Sequence, residues 1–446
     1  MQVKANMKIK SMAAAILMTL LVASGFVAGA ADPASAAGTT YYVSAAGSDS
    51  NSGTASTSAW KTLSRVNQAV LKPGDTVSFR RGDTFSGGVV TAQSGTSTAP
   101  ITLNTYGTGN APIVTGGKSG NCIRINGNYT TVEGLRAVAC GYAGISVTGD
   151  RNTVRNTSAS NNAVGLKVGT GSDFGKYTAN SLTDNNVMNV NTAGTNCGTS
   201  AAVNCSDDSG AFGVLINGSD NEFSSNTVSG STGKSYDYNQ DGGAFEIYNG
   251  NRNNIHHNVS LDNNSFSELG KSSGTADGNT FRYNLIRSTC GANCSEAKGL
   301  IARGNGTSYG PTNGTVFEFN TVYLTGAQSK AFVCHATCPA STVVRANILV
   351  GVKNSLWIDG SGWTEKQNVV NGPVNFTPNS TSTTAPARFA NAPADLRLTG
   401  TSPAIDRAGT TSYTVDLVKA PSVQNGDCAG TAAADAGAYE YDSPNC

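Results

Sequence analysis

A short phrase recurs along this chain: an apolar residue, two polar or mixed ones, an Asn, then more apolar residues. Leu182, Phe223, Ile255, Phe281, Phe317 and Val344 open it; Asn185, Asn226, Asn258, Asn284, Asn320 and Asn347 stand three residues later. Val132 and Val154 open two earlier copies in which Leu135 and Thr157 replace the Asn. Successive openings lie 22, 28, 41, 32, 26, 36 and 27 residues apart, so the unit is about 22 residues and the excess is Gly- and Ser-rich insertion. A repeat of that length is one supersecondary unit that buries its apolar face only by stacking on its neighbours. Short strands of period-2 alternation between Asn and Gly turns predict one coil per repeat. Coils then stack about 4.8 Å apart with like residues aligned. An Asn column is expected to hydrogen-bond along the axis and satisfy the turn backbone. The fold these features predict is all-β, a single-domain right-handed parallel β-helix.

Composition narrows the partners. The 446 residues carry 30 basic and 29 acidic side chains, and charged residues are only 13% of the total. Without a clustered cationic excess the chain is not a nucleic-acid binder. Past the N-terminus no apolar run approaches the roughly 20 residues that span a bilayer. Lys4, Lys8 and Lys10 precede an apolar stretch over 12–23, and small residues at 34–37 offer a cleavage site, so residues 1–37 read as a secretory signal peptide. Its removal takes three Lys and Asp32 and moves the balance from +1 to −1. The mature protein is expected to be secreted, extracellular, free of the membrane and monomeric. Its ten cysteines then read as disulfides. The simplest pairing is local: Cys122 with Cys140, Cys197 with Cys205, Cys290 with Cys294, Cys334 with Cys338, and Cys428 with Cys446.

Both ends of a coil stack need covering, because an open sheet edge aggregates. Residues 38–120 are assigned to an N-terminal cap and first coils, with a short capping helix over 64–71. Residues 121–374 form the coils, and 375–446 a Ser/Thr/Pro-rich loop and a closing segment.

A β-helix presents long shallow faces suited to a chain substrate, and the longest insertion precedes Phe223. After it comes the densest group of candidate functional residues: Lys234, Tyr236, Tyr238, Asp241, Glu246, Tyr248, Glu268 and Lys271. Alternation in Phe245-Glu246-Ile247 and Ser267-Glu268-Leu269 turns both glutamates outward, and their spacing of 22 residues is one coil. Two charges ~5 Å apart repel by about 3 kcal/mol at an effective dielectric near 20, so the pair needs a proton, a cation or a lysine. Lys167 falls in the same column lower down, and Arg303 is a candidate to face the same groove. One use of this set is β-elimination of a uronate polysaccharide. Lys271 would be the base, Tyr236 or Tyr238 the proton donor, and Lys234, Tyr248, Lys167 and Arg303 substrate-binding groups. Asp241, Asp207 and Asp208, with the glutamates, would supply oxygen ligands for Ca²⁺. The other use is glycoside hydrolysis by Glu246 and Glu268 with Asp241. A non-catalytic glycan-binding or surface β-helix is the third reading. His256-His257 reads as a turn or surface pair, and His335 as part of a disulfide-stapled loop.

Trp60-Lys-Thr-Leu63, Lys72-Pro-Gly-Asp-Thr-Val77 and Arg81-Gly-Asp-Thr-Phe85 resemble the N-terminal cap of secreted β-helix polysaccharide lyases. Leu396-Arg-Leu-Thr-Gly-Thr-Ser-Pro-Ala-Ile-Asp406 and Asp435-Ala-Gly-Ala-Tyr-Glu-Tyr441 resemble their closing segment. The strands Asp-Gly-Gly-Ala-Phe-Glu-Ile (241–247) and Phe-Ser-Glu-Leu-Gly (266–270) are similar to those of the pectate lyase 9 type and of β-helix alginate lyases. In the pectate type that second strand carries the catalytic Lys as Phe-Lys-Leu-Gly; here Ser267 and Glu268 stand between Phe266 and Leu269. Some β-helix alginate lyases use a Tyr and Lys pair, which Tyr236 or Tyr238 and Lys271 would supply. The resemblance therefore implies an alginate-type polysaccharide lyase.

Overall fold

The computed structural model describes residues 38–116, 120–197, 203, 205 and 207–444. The expected signal peptide over 1–37 and the expected partner Cys446 lie outside the described residues. Three parallel sheets of twelve, ten and eleven strands run the length of the molecule. In each, the hydrogen-bonded neighbour of a strand is the corresponding strand of the next coil. Successive coils enter the three sheets in turn, which makes the chain a right-handed parallel β-helix.

The coils hold together from the inside. Inward side chains stack into an aromatic column, with Tyr177, Phe223, Phe245, Phe266, Phe281, Phe317 and Phe332 at centroid spacings of 4.8 to 6.3 Å. The Asn column forms as expected through Asn226, Asn258, Asn284, Asn320 and Asn347, each amide donating to the next carbonyl oxygen at 2.9 to 3.1 Å. Each of these oxygens also takes the backbone N–H of the preceding ladder Asn. The residue before each Asn, among them Ser225, His257, Tyr283, Phe319 and Ala346, holds a φ of 49 to 56°. That left-handed turn is costly for a residue with a side chain, and the buried amide bonds offset it.

One copy of the phrase is misplaced in the sequence reading. Tyr177, not Leu182, pairs with Phe223, and Asn180 rather than Asn185 continues the column. Leu182 lies in the eleven-stranded sheet, and Asn185 joins Asn162 at a different turn. Asn221, Asn253 and Asn279 make a further ladder. Because more than one turn of a coil uses Asn, the local phrase alone does not say which turn it belongs to.

The capping helix is Leu63–Asn67, shorter than 64–71. The Thr62 hydroxyl caps it by accepting from the Arg65 N–H, and Leu63 and Val66 are buried beneath it. The chain leaves it before Pro73, which has no N–H to continue a helix. The C-terminal segment lies along the flank of the coils as well as at their end. The His257 ring meets the Val415 carbonyl at 2.9 Å, and the Ala438 N–H reaches Thr321 Oγ1. His257 is therefore buried instead of at the surface. Four of the local disulfides form: Cys122–Cys140, Cys197–Cys205, Cys290–Cys294 and Cys334–Cys338. Cys428 is also disulfide-bonded. No helix among the described residues is long and apolar enough to cross a membrane.

Candidate active site

On the ten-stranded sheet the outward column reads Lys167, Leu215, Glu246, Glu268, Ile301 and Val333, one residue per coil. Phe245, Ile247 and Leu269 are buried, and the two glutamates keep partly exposed edges on the outer face. They are register partners, so their Cα atoms sit one strand apart, about 4.8 Å.

Two hairpins and a loop wall this patch. The first hairpin pairs Met188–Val190 with Ser209–Gly210, and the second pairs Gly233–Ser235 with Asn239–Asp241. Asp208 ties them together. Its carboxylate accepts the backbone N–H of Thr192 at 2.8 Å and of Tyr236 at 2.7 Å, and the Ser235 hydroxyl at 3.1 Å. Against burial, which acts the other way, these donors hold Asp208 below the usual carboxylate range. On the opposite side, residues 304–313 follow the strand Lys298–Arg303 and carry Tyr309, whose ring lies 6.4 Å from that of Tyr248. The cleft so enclosed has a volume of ≈ 630 Å³, within the range of pockets that envelop a small ligand.

The two glutamates differ in their surroundings. Glu268 is paired with Arg303 at 2.8 Å and lies 3.9 Å from the Lys298 ammonium. Glu246 is not in an ion pair among the described residues. Burial first, then the charges of Glu268 and Asp241, raise its carboxyl well above the ordinary value. Asp241 is pushed up to about 7, chiefly by burial, with the Glu268 charge adding to it. The Tyr238 hydroxyl, raised by burial and by Asp207, donates to Asp207 Oδ1 at 2.5 Å.

Of the sequence candidates, Glu246, Glu268, Asp241, Tyr238, Tyr248, Arg303, Asp207 and Asp208 line the cleft; Lys271, Tyr236, Lys234 and Lys167 do not. The Lys271 N–H donates to the Tyr309 carbonyl and so anchors the wall loop. Tyr236 is exposed on the hairpin. The carbonyl of Lys234 takes the Asn191 amide, joining the two hairpins. Lys167 sits in the expected column with its ammonium 5.1 Å from the Tyr142 ring centre. Lys298, Lys330 and Tyr309 also line the cleft and were not singled out; His335, read as part of a stapled loop, ends the strand Lys330–His335 and lines the cleft with them. The signal for three of them is present: Lys298-Gly-Leu-Ile-Ala-Arg303 and Lys330-Ala-Phe-Val-Cys-His335 repeat a basic residue at both ends, and the strands pair Lys298 with Lys330 and Arg303 with His335.

The donor set does not fit a Ca²⁺ site. Asp208 is saturated by hydrogen bonds, and Asp207 is engaged by Tyr238. Among the described residues only Asp262, Cys290 and Cys294 bring three potential ligand atoms within 4.8 Å of one another, and those cysteines are a disulfide.

No family model matches the sequence. The lacto-N-biosidase of Bifidobacterium longum subsp. longum is 43% identical over 75 residues, which is 16% of this chain and 5% of that protein. The chain thus spans about a twentieth of the length of that relative. The fold is similar to pectate lyase Pel9A, with a TM-score of 0.56 and 16% identity over 91% of this chain and 97% of that one. It is also similar to XylC, solved in complex with xylose, with a TM-score of 0.51 and 9% identity over 75% of each chain. The chain therefore shares the right-handed parallel β-helix fold of pectate lyase Pel9A, and its fold is similar to that of XylC.

Proposed function

We propose that this protein is an extracellular carbohydrate-active enzyme that hydrolyses a glycosidic bond, with Glu246 as general acid and Glu268 as its carboxylate partner. One observation carries the reading: a carboxyl without an ion-pair partner among the described residues, raised well above its ordinary value by burial, is stacked one coil from a carboxylate held by an arginine. Glycosidases need that division of labour between two acids. Glu246 gives its proton to the bridging oxygen as the C–O bond breaks, and a Glu268 oxygen bonds to the anomeric carbon. Glu246 then takes a proton from water, whose oxygen displaces Glu268. Side chains on Cα atoms one strand apart can bring their carboxyl groups to the roughly 5 Å separation that suits retention of anomeric configuration. Tyr238, Tyr248 and Tyr309 offer ring faces and hydroxyls to the sugar. The disulfides suit an oxidising compartment outside the cell.

A specific observation favours β-elimination as a second reading. Lys298 and Arg303 would neutralise a uronate carboxyl, and burial, then the charges of Lys353 and Lys298, lowers the Lys330 ammonium, which favours Lys330 as the base. In that reading Lys330 takes the place foreseen for Lys271, and alginate is one substrate to try. The test is reducing-end release together with ultraviolet absorbance on neutral glycans, alginate and pectate. New reducing ends without an unsaturated-uronide chromophore support hydrolysis. A chromophore rising with cleavage replaces it by elimination. Binding with no product from any glycan leaves the non-catalytic reading.

A further inference from the structure

Arg303 holds Glu268, and its aim is set where its strand ends. It is the last residue of Lys298–Arg303, in which Ile301 is the register partner of Glu268. The guanidinium therefore leans back one coil to reach that carboxylate, at 2.8 Å. A long side chain keeps one such direction only where its backbone and neighbours restrict it, because its rotamer freedom opposes the ordering. One restraint is the Tyr309 ring, whose centre lies 5.3 Å from the guanidinium carbon. The other is Thr312, which is buried. Its Oγ1 accepts the Arg303 N–H at 3.1 Å, and its own N–H donates to the Arg303 carbonyl at 2.9 Å. The hydroxyl donates to the same carbonyl at 3.3 Å. Residues 304–311 are thus closed into a loop with Arg303 and Thr312 paired at its neck.

The body of the loop rests on backbone bonds. Gly304, Asn305 and Gly306 donate to the carbonyls of His335, Thr337 and Ala336 on the next coil, and the Tyr309 carbonyl takes the Lys271 N–H from the coil before. Gly310 packs against the Gly304 carbonyl so closely that a methyl group there would run into it. These contacts lay the loop along the flank of the cleft, and the neck fixes the backbone from which Arg303 departs. We propose that Thr312 is a positioning residue for the reaction: its hydroxyl clasps the neck, so that one loop presents both the guanidinium to Glu268 and the Tyr309 ring to the cleft.

The effect on catalysis rests on the hydrolytic reading above; the placement of Arg303 does not. Thr312→Val keeps the volume and the backbone N–H and removes the acceptor, whereas Thr312→Ser keeps the acceptor. On the glycan that wild type hydrolyses, Thr312→Val is expected to lower kcat/KM by about ten- to a hundredfold, the usual effect of a small misplacement relayed to reacting groups. The alkaline limb of its activity profile should move to higher pH, because the Arg303 charge opposes the rise at Glu246. Thr312→Ser should match wild type in both. An unmoved limb in Thr312→Val, whatever its melting temperature, marks a merely structural contact and overturns the proposal. So does a Thr312→Ser that behaves like Thr312→Val. Should Thr312→Val not fold, Gly310→Ala opens the same loop from within, and the same two readings decide. If no glycan is hydrolysed, the hydrolytic reading fails, and the Arg303 Nε–H resonance, identified by its absence from Arg303→Lys, decides this one. That nitrogen is buried, so its proton exchanges slowly while the side chain is held. A signal present in wild type and Thr312→Ser and broadened or lost in Thr312→Val supports the clasp. An equal signal in all three, or none in wild type, overturns it.

Discussion

Replacing Glu246 by Gln is expected to stabilise the protein while abolishing its activity, and the two effects share one cause. Burial, reinforced by the Glu268 and Asp241 charges, keeps the Glu246 proton on at pH values where an unfolded chain has released it. Between the unfolded carboxyl's pKa, about 4.3, and the raised folded value, the native state binds one more proton. Stability from this group is therefore fully present below about pH 4 and is lost as pH rises through the folded value, at about 1.4 kcal/mol per pH unit. Asp241, raised to about 7 by burial, adds the same slope over about three units, on the order of 4 kcal/mol. Asp435 and Glu440, raised by burial to about 7 and about 9, give wild type and variant a common background. Glu246→Gln keeps the shape and has no proton to lose. It should match wild type near pH 4.5 and exceed it by a margin that grows as pH rises toward neutrality. Urea unfolding midpoints across pH 4 to 8, with unchanged m, read this difference. kcat should fall by about 10² to 10⁴, the usual contribution of a general acid. Parallel stability profiles would show that Glu246 is an ordinary ionised carboxylate and would remove the acid from the mechanism.

Four further outcomes follow from the same geometry. Asn284→Ala strips an acceptor from the Asn258 N–H and amide and a donor from Ile255 O and Asn320 Oδ1. At about 1 kcal/mol or more per buried partner left bare, thermal or urea unfolding should register a loss of about 3–6 kcal/mol. Leu215→Lys places a cation one coil below Glu246, so Glu246 ionises more readily; the alkaline limb of the activity profile should move to lower pH and activity near neutrality should drop. Burial, then His257, lowers His256 to about 4 from 6.5, so its stabilisation is complete above pH 6.5 and falls away as pH drops to 4. His256→Gln should remove about 3 kcal/mol of that acid loss, seen in unfolding midpoints at pH 4 against 7. Exhaustive chelation should leave activity unchanged, since Asp207 and Asp208 are committed to hydrogen bonds; a loss restored by Ca²⁺ would contradict that assignment.

The coil repeat was legible because most phrases pair an inward apolar residue with an Asn that the turn backbone needs. The outward stacking of Glu246 and Glu268 followed from the same count of 22 residues. What stayed hidden depends on where insertions fold. Lys271 and Glu268 are three residues apart in sequence, yet the strand ends at Gly270 and the chain turns into the wall, taking Lys271 out of the cleft. Lys298 and Lys330 enter from strands 30 and 62 residues beyond Glu268, where no local pattern ties them to it. The role of Asp208 was equally unreadable: a carboxylate in an insertion looks like a ligand until its donors, Thr192, Ser235 and Tyr236, are in place.

A β-helix makes a paired-acid site easy to build and hard to polarise. Any outward residue has a neighbour about 4.8 Å away on the adjacent coil, so two carboxyls are brought together by the fold itself. Stacking alone gives no reason for them to differ, and catalysis requires that they do. Here the asymmetry comes from the flanking coils. Glu246 has Leu215 on its far side, and Glu268 has the strand of Ile301, from which Arg303, two residues on, reaches back to the carboxylate. The Arg303 cation is held by the Tyr309 ring at one edge and the Glu268 oxygen at the other, so under the proposed hydrolysis the loop that walls the cleft would also set which glutamate keeps the proton. On that proposal substrate enclosure and acid–base assignment depend on the same insertion, residues 304–313, and a change that loosens Tyr309 should disturb both together.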